Sequence, residues 1–185
     1  MLMVKRLTTS QWLPVPVEQV FAFFASPENL PRLMPPELRT RIEELRLQPP
    51  PPCPSTDAAL PAHENTQAAG VGTEIVISFC PVPWLPFRVR WVARIVEFAW
   101  HSHFVDEQVR GPFRRFRHRH GIQPEMRNGT AGTLVSDDLE FSLPFGWLGS
   151  LAAGLVRRQL MASFRARQER LPQMLASGAE TPQSS

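Results

Sequence analysis

Three residues carry most of the chemistry this sequence can offer: His118, His120 and Asp137. The histidines are two apart in RFRHRH, so in a strand they project from one face. Asp137 lies in TLVSDDLEF, where Thr133, Val135, Asp137, Leu139 and Phe141 alternate with Leu134, Ser136, Asp138 and Glu140 as the covered face of a second strand. The turn between the two strands, near Met126 and carrying Asn128-Gly129, puts His118 opposite or diagonal to Asp137. A carboxylate beside an imidazole fixes its tautomer and can raise its pKa, which suits a general base or a ligand-orienting group. The same pair also reads as a satisfied internal hydrogen bond. No serine or cysteine stands at a recognisable nucleophile position. His118-Arg119-His120 supplies two imidazoles but no evident third ligand, so no metal and no cofactor is assigned.

The element that positions the histidines is Phe104 to His120, FVDEQVRGPFRRFRHRH, which reads as two strands folded back at Gly111-Pro112. With a tight tip there, Asp106 faces Arg117, Gln108 faces Arg115 and Val105 faces His118. Arg115 and Arg117 then share an outer face with Arg90 and Arg94, with Asp106 between them, while Phe116, His118 and His120 look inward. A slip of one residue at the turn would move Asp106 to the other face. The arginine face is a solvated, salt-bridged sheet surface, or else an anionic-surface or membrane contact.

The remaining chain supplies what must cover the inner face. Residues 2–13 form a first strand ended by Pro14 and Pro16. Val17 to Ala25 has helical spacing with Pro16 at its start, and Ser26-Pro27-Glu28 opens a second short helix that turns Leu30, Leu33 and Met34 inward. Thr40 to Leu47 is a weak strand, with a helical reading nearly as good. Gln48 to Gly70, with its PPPPCP run, reads as an exposed loop insertion. Thr73, Ile75, Ile77 and Phe79, then Val89, Trp91, Ala93 and Ile95, alternate as inner faces of two more strands of an antiparallel meander. Between Phe145 and Leu175 a helix carries Trp147, Leu148, Leu151, Leu155, Phe164 and Leu171 as its apolar stripe, with Arg157, Arg158, Arg165, Arg167 and Arg170 mostly off it. Pro172 is placed to kink or shorten its end.

Composition narrows the class. With 185 residues the chain suits one domain with a sizeable core, and 43% hydrophobic against 20% charged residues excludes a disordered chain. The net charge is only +3, too small to imply nucleic acid without a clustered patch. RGPFRRFRHRH interleaves basic and aromatic residues, but alternation separates the arginines from Phe116, which argues against base stacking. The N-terminal MLMVKRLTTSQWL lacks a secretory pattern, and the longest apolar passage, Leu143 to Val156, is broken and too short to span a bilayer. Cys53 and Cys80 read as free thiols in a reducing cytoplasm. Nothing in the sequence speaks for an oligomeric state.

The order of elements resembles the helix-grip fold and, more narrowly, the SRPBCC (START-like) superfamily of lipid-transport and polyketide cyclase/dehydrase type. Trp12-Leu13-Pro14-Val15-Pro16 running into VEQVFAFFASPENL, then FVDEQVRGPF followed by FRHRH, then Asp137 to Phe145 leading into the last helix carry that resemblance, over roughly Met3 to Leu175. It implies an α+β fold: a curved antiparallel sheet of about seven strands around a long C-terminal helix, two short helices after the first strand, and a hydrophobic cavity between sheet and helix. Residues 1–176 are expected to form this single ligand-binding domain, with 48–70 as an inserted loop and 177–185 as a disordered tail. The resemblance transfers no particular reaction. The leading expectation is a cytoplasmic, non-catalytic binding or carrier protein for a small hydrophobic ligand. Its candidate ligand-binding residues are Phe79, Trp91, Phe116, His118, His120, Asp137, Phe141, Leu151 and Leu155. The alternatives are a cyclase/dehydratase-type enzyme using His118 and Asp137 as an acid–base pair, and an accessory protein whose arginine face docks on a membrane or partner.

Overall fold

The computed structural model describes residues 4–53, 68–82, 87–144 and 146–178; the side chains of 146–151 and 178 are outside that description. The elements follow as β1 (Lys5–Leu13), α1 (Val17–Ala25), α2 (Leu30–Leu33), β2 (Arg41–Arg46), β3 (Glu74–Phe79), β4 (Val89–Ala99), β5 (His103–Arg110), β6 (Arg115–Arg127), β7 (Thr130–Ser142) and α3 (Gly146–Gly178), with 3-10 turns flanking α2. The strands form one antiparallel sheet in the order β1-β7-β6-β5-β4-β3-β2, leaving β1 and β2 as its edges. With α3 against the concave face, this is an α+β helix-grip fold.

Curvature comes from irregularities in pairing. The pairing passes over Glu43 in β2, Val96 in β4 and Val109 in β5, and each extra residue lets its strand bend. The β6–β7 hairpin, by contrast, keeps an unbroken register from Arg115↔Ser142 to Arg127↔Thr130. Its two-residue turn uses Asn128 at φ 50° and Gly129 at φ 78°, the conformation that Asn-Gly adopts most readily.

The β5–β6 hairpin corrects the expected register. Asp106 pairs with His118 and Val105 with Arg119, one residue away from the pairing a tight tip would give. The tip spans Gly111 to Arg114 because the Gln108 side chain replaces a ladder rung: its amide donates to the Phe113 carbonyl at 2.7 Å and accepts from the Phe113 N–H at 3.2 Å. Asp106 therefore lies on the inner face. Glutamates take its expected place outside, where Arg117 pairs with Glu97 and Glu107, Arg115 with Glu140, and Arg94 with Glu74.

Two apolar clusters bracket the centre of the molecule. One gathers Phe21, Phe24 and Val20 of α1 with Phe104, Ile122, Leu171 and Leu175; the other joins Leu7, Phe116, Leu139, Phe141 and Phe164. The loop after β2 is anchored at both described ends: Ala69 is buried and its N–H donates to the Ala25 carbonyl, and Trp100 donates to the Pro51 carbonyl at 2.7 Å. Residues 54–67, in the middle of the expected 48–70 insertion, lie outside the described residues.

Pro172 neither ends nor shortens α3, which runs on to Gly178, past the expected domain limit at 176. A proline there removes the N–H that the Gln168 carbonyl would accept, and Gln11 of β1 supplies the donor instead at 2.8 Å. The polar tail from 179 lies outside the described residues.

Candidate functional site

Between the sheet and α3 is a cavity of about 360 Å³. Period-two alternation builds its sheet wall: Ile75, Ile77 and Phe79 from β3, then Trp91, Ala93 and Ile95 from β4. Leu33 and Met34 close one side, and Val156, Leu160 and Phe164 of α3 form the roof. Pro112 and Gln159, both solvent-exposed, stand at its rim.

Its polar floor lies where β5, β6 and β7 run side by side. His118 and His120 share a face of β6, Asp106 is opposite His118 on β5, and Asp137 is opposite His120 on β7. His118 Nε2 is 3.0 Å from Asp137 Oδ1, and His120 Nε2 is 3.1 Å from Asp106 Oδ2. His120 Nδ1 stands 3.3 Å from Asp137 Oδ1, close enough for an ion pair but not aligned as a hydrogen bond. Arg167 of α3 donates to Asp137 Oδ2 from above, and its guanidinium also stacks over Phe164 at 5.1 Å and Phe24 at 5.6 Å. Phe104 stacks on the His120 ring at 4.5 Å and Phe164 meets His118 edge-on at 5.5 Å, so neither imidazole is free to turn.

Burial sets the charges. It would raise the Asp137 carboxyl, but the Arg167 guanidinium and the two imidazoles overcome it and hold the group well below the ordinary carboxylate range. Burial, reinforced by neighbouring His120, pushes His118 down despite Asp137. Burial opposes charge on His120 as well, yet hydrogen bonding to Asp106 and proximity to Asp137 raise it. Among the described residues, four that line the cavity keep a buried polar atom without a partner: Ser26 Oγ, Trp91 Nε1, His120 Nδ1 and Arg167 Nε. Buried polar atoms are rarely left unpaired without a reason.

The residues expected from sequence separate into groups. Phe79, Trp91, Phe116, His118 and His120 line the cavity. Asp137 is behind the histidines, and Phe141 is fully buried in the second core cluster; neither reaches the cavity wall. The Leu151 side chain lies outside the described residues. Leu155, expected as a ligand contact, is 71% exposed and does not line the cavity. It stands nine residues before Phe164, two and a half helical turns, and so points the opposite way.

Two site residues escape the sequence reading, which turns Asp106 outward with the arginines and groups Arg167 with the solvated arginines of the last helix. Arg167 was legible from spacing: three residues after Phe164 and four before Leu171, it sits on the buried stripe itself.

The family described as polyketide cyclase / dehydrase and lipid transport matches residues 13–169. No curated protein matches the chain by sequence. Among solved structures, TTHA0849 from Thermus thermophilus is similar at 17% identity and a TM-score of 0.62, over 95% of this chain and 100% of that one. Norcoclaurine synthase from Thalictrum flavum, a point mutant with a transition-state analogue, is similar at 12% identity and a TM-score of 0.59, over 94% and 97%. Ara h 8.0201 is similar at 12% identity and a TM-score of 0.54, over 95% and 99%. Likeness at these identities concerns the fold alone. Among the described residues, no helix is long and apolar enough to cross a membrane.

Proposed function

The chain belongs to the polyketide cyclase/dehydrase and lipid transport family, and on that premise we propose that it binds or carries a small, largely apolar ligand in the cavity between sheet and α3. The observation that carries this reading is the cavity itself: apolar walls around a few convergent polar groups are the usual make-up of a ligand site. Its volume, about 360 Å³, is near the low end for such sites and suits a one- or two-ring molecule or a short chain better than a two-tailed lipid. Unpartnered N–H groups on Trp91 and Arg167 favour a ligand with a hydrogen-bond acceptor. Two free cysteines fit a reducing compartment such as the cytoplasm.

The test is titration with an apolar fluorescent probe, alongside native mass spectrometry of whatever co-purifies. Micromolar binding, about −8 kcal/mol, is expected. Ala93→Phe puts a ring into the cavity from β4 and should weaken probe binding by at least tenfold, about 1.4 kcal/mol or more. Probe affinity unchanged by Ala93→Phe would place the probe elsewhere and refute the reading.

One observation favours a second reading, an enzyme of the cyclase/dehydratase kind: His118, held at 3.0 Å by Asp137, faces the cavity where a substrate would lie. Once the ligand is identified, His118→Gln separates the two. Turnover lost with binding kept supports the enzyme; no turnover by the unaltered protein refutes it.

A further inference from the structure

We propose that Asp106, His118 and His120 form a binding site for one divalent transition-metal ion of the zinc type on the cavity floor. Two imidazoles and one carboxylate, with coordination positions left open, are a donor set that such ions take readily. The one-residue register of the β5–β6 hairpin is what assembles it, because it turns Asp106 inward beside both histidines. One ligand atom from each residue lies within 4.8 Å of the others.

The geometry is close to that of a bound ion. Ligands about 2.1 Å from a tetrahedral ion lie about 3.4 Å from one another. Asp106 Oδ2 is 3.1 Å from His120 Nε2 and 4.0 Å from His118 Nδ1, which brackets that spacing. The outer nitrogen of His118 is already committed: its Nε2 is 3.0 Å from Asp137 Oδ1, as a carboxylate stands behind a metal-bound histidine to fix ring and tautomer, while His120 Nδ1 lies 3.3 Å from the same oxygen without hydrogen-bond alignment. Asp137 is in turn held by Arg167.

Charge points the same way. Asp106 and Asp137 bring two negative charges to a buried cluster, and Arg167 brings one positive charge. A cation seated between Asp106 and the two imidazoles would meet this negative charge. Asp106, His118 and His120 all line the cavity, so the open positions of the ion face the ligand space. An apolar ligand carrying a phenolate, enolate or carboxylate oxygen would complete the coordination. The site does not depend on the ligand reading, since the ion can be titrated alone.

The experiment is calorimetric titration of chelator-treated protein with Zn²⁺, and with Co²⁺ followed by its visible absorption. One ion per chain is expected, with the Co²⁺ spectrum of a four- or five-coordinate site. Asp106→Asn, His118→Gln and His120→Gln should each weaken binding by more than about 100-fold, and Asp137→Asn, behind the ligands, by about 10–100-fold. His103→Gln, on β5 but bonded to Ser102, should change nothing. Thermal melts of each variant confirm folding, and Asp106→Asn, the closest in shape to the native residue, decides if either histidine variant unfolds. Absence of stoichiometric binding to the unaltered protein overturns the proposal; so does binding that survives both Asp106→Asn and His118→Gln. The apolar probe, run on the same sample, keeps the outcomes separate. Probe bound without metal ends only the metal site, and metal bound without probe ends only the ligand reading.

Discussion

Arg167→Met is the sharpest test of how the floor of the cavity is held together. Methionine keeps an apolar stem of similar length and removes the guanidinium. What remains is the Asp137 side chain, 2% exposed, with its strongest countercharge gone. Removing one partner of a buried pair costs about 3–5 kcal/mol, because the other charge is left in a poor solvent. Here His118 and His120 still stand at 3.0 and 3.3 Å from the carboxylate and partly compensate, which puts the loss near the lower end, about 3 kcal/mol. In a chain of this size each kcal/mol moves Tm by about 2–4 °C, so the melt should fall by about 6–12 °C. Arg117→Met makes the same chemical change where the side chain is 30% exposed and pairs with Glu97 and Glu107 across the outer face; it should cost only about 0–1 kcal/mol. Urea unfolding of both variants gives the comparison. A double variant, Asp137→Asn with Arg167→Met, should lose less than the sum of its parts, since it removes both charges together. If Arg167→Met is no worse than Arg117→Met, the guanidinium is solvated and the buried pair does not exist.

Other outcomes follow from particular contacts. Gly132→Ala should cost about 1–3 kcal/mol by thermal melt, because a Cβ there would lie 2.6 Å from the Trp12 ring and against the Leu13 carbonyl, pushing the β1 edge away from β7. Leu155→Glu should leave stability within about 0.5 kcal/mol, since the side chain faces water; a larger loss would restore Leu155 to the core. Gln11→Ala should cost about 1 kcal/mol by stranding the Gln168 carbonyl, and adding Pro172→Ala should recover it by restoring the helical N–H; failure of that rescue would show that the β1–α3 bond is idle.

Strand faces were legible because they are local properties. Alternation in Ile75-Val76-Ile77, in Trp91 to Ile95 and in Thr133 to Phe141 assigns inner and outer sides before any partner is known, since one side of a pleated strand must meet the core. Asn128-Gly129 fixed its hairpin for a similar reason: the turn type demands positive φ and these residues supply it. From those two facts His118, His120 and Asp137 fall together, His120 directly opposite Asp137 and His118 diagonal to it. The face of Asp106 was not local. It depended on the register across the β5–β6 tip, where Asp106 pairs with His118 and the Gln108 side chain bonds both backbone groups of Phe113. Arg167 was a question of counter-ion. An arginine on a helix reads as solvated until a buried carboxylate thirty residues away along the chain, on β7, is seen to meet it. Leu155 failed because apolar type alone does not fix a helical face; the curved sheet meets α3 along one side, and Phe164, Arg167, Leu171 and Leu175 define it. The sequence by itself thus determined which residues alternate and where the chain must turn, both set by backbone geometry within a few residues. Only the tertiary structure decided which charges share the floor of the cavity, because a buried charge is settled by the partner that reaches it from another element.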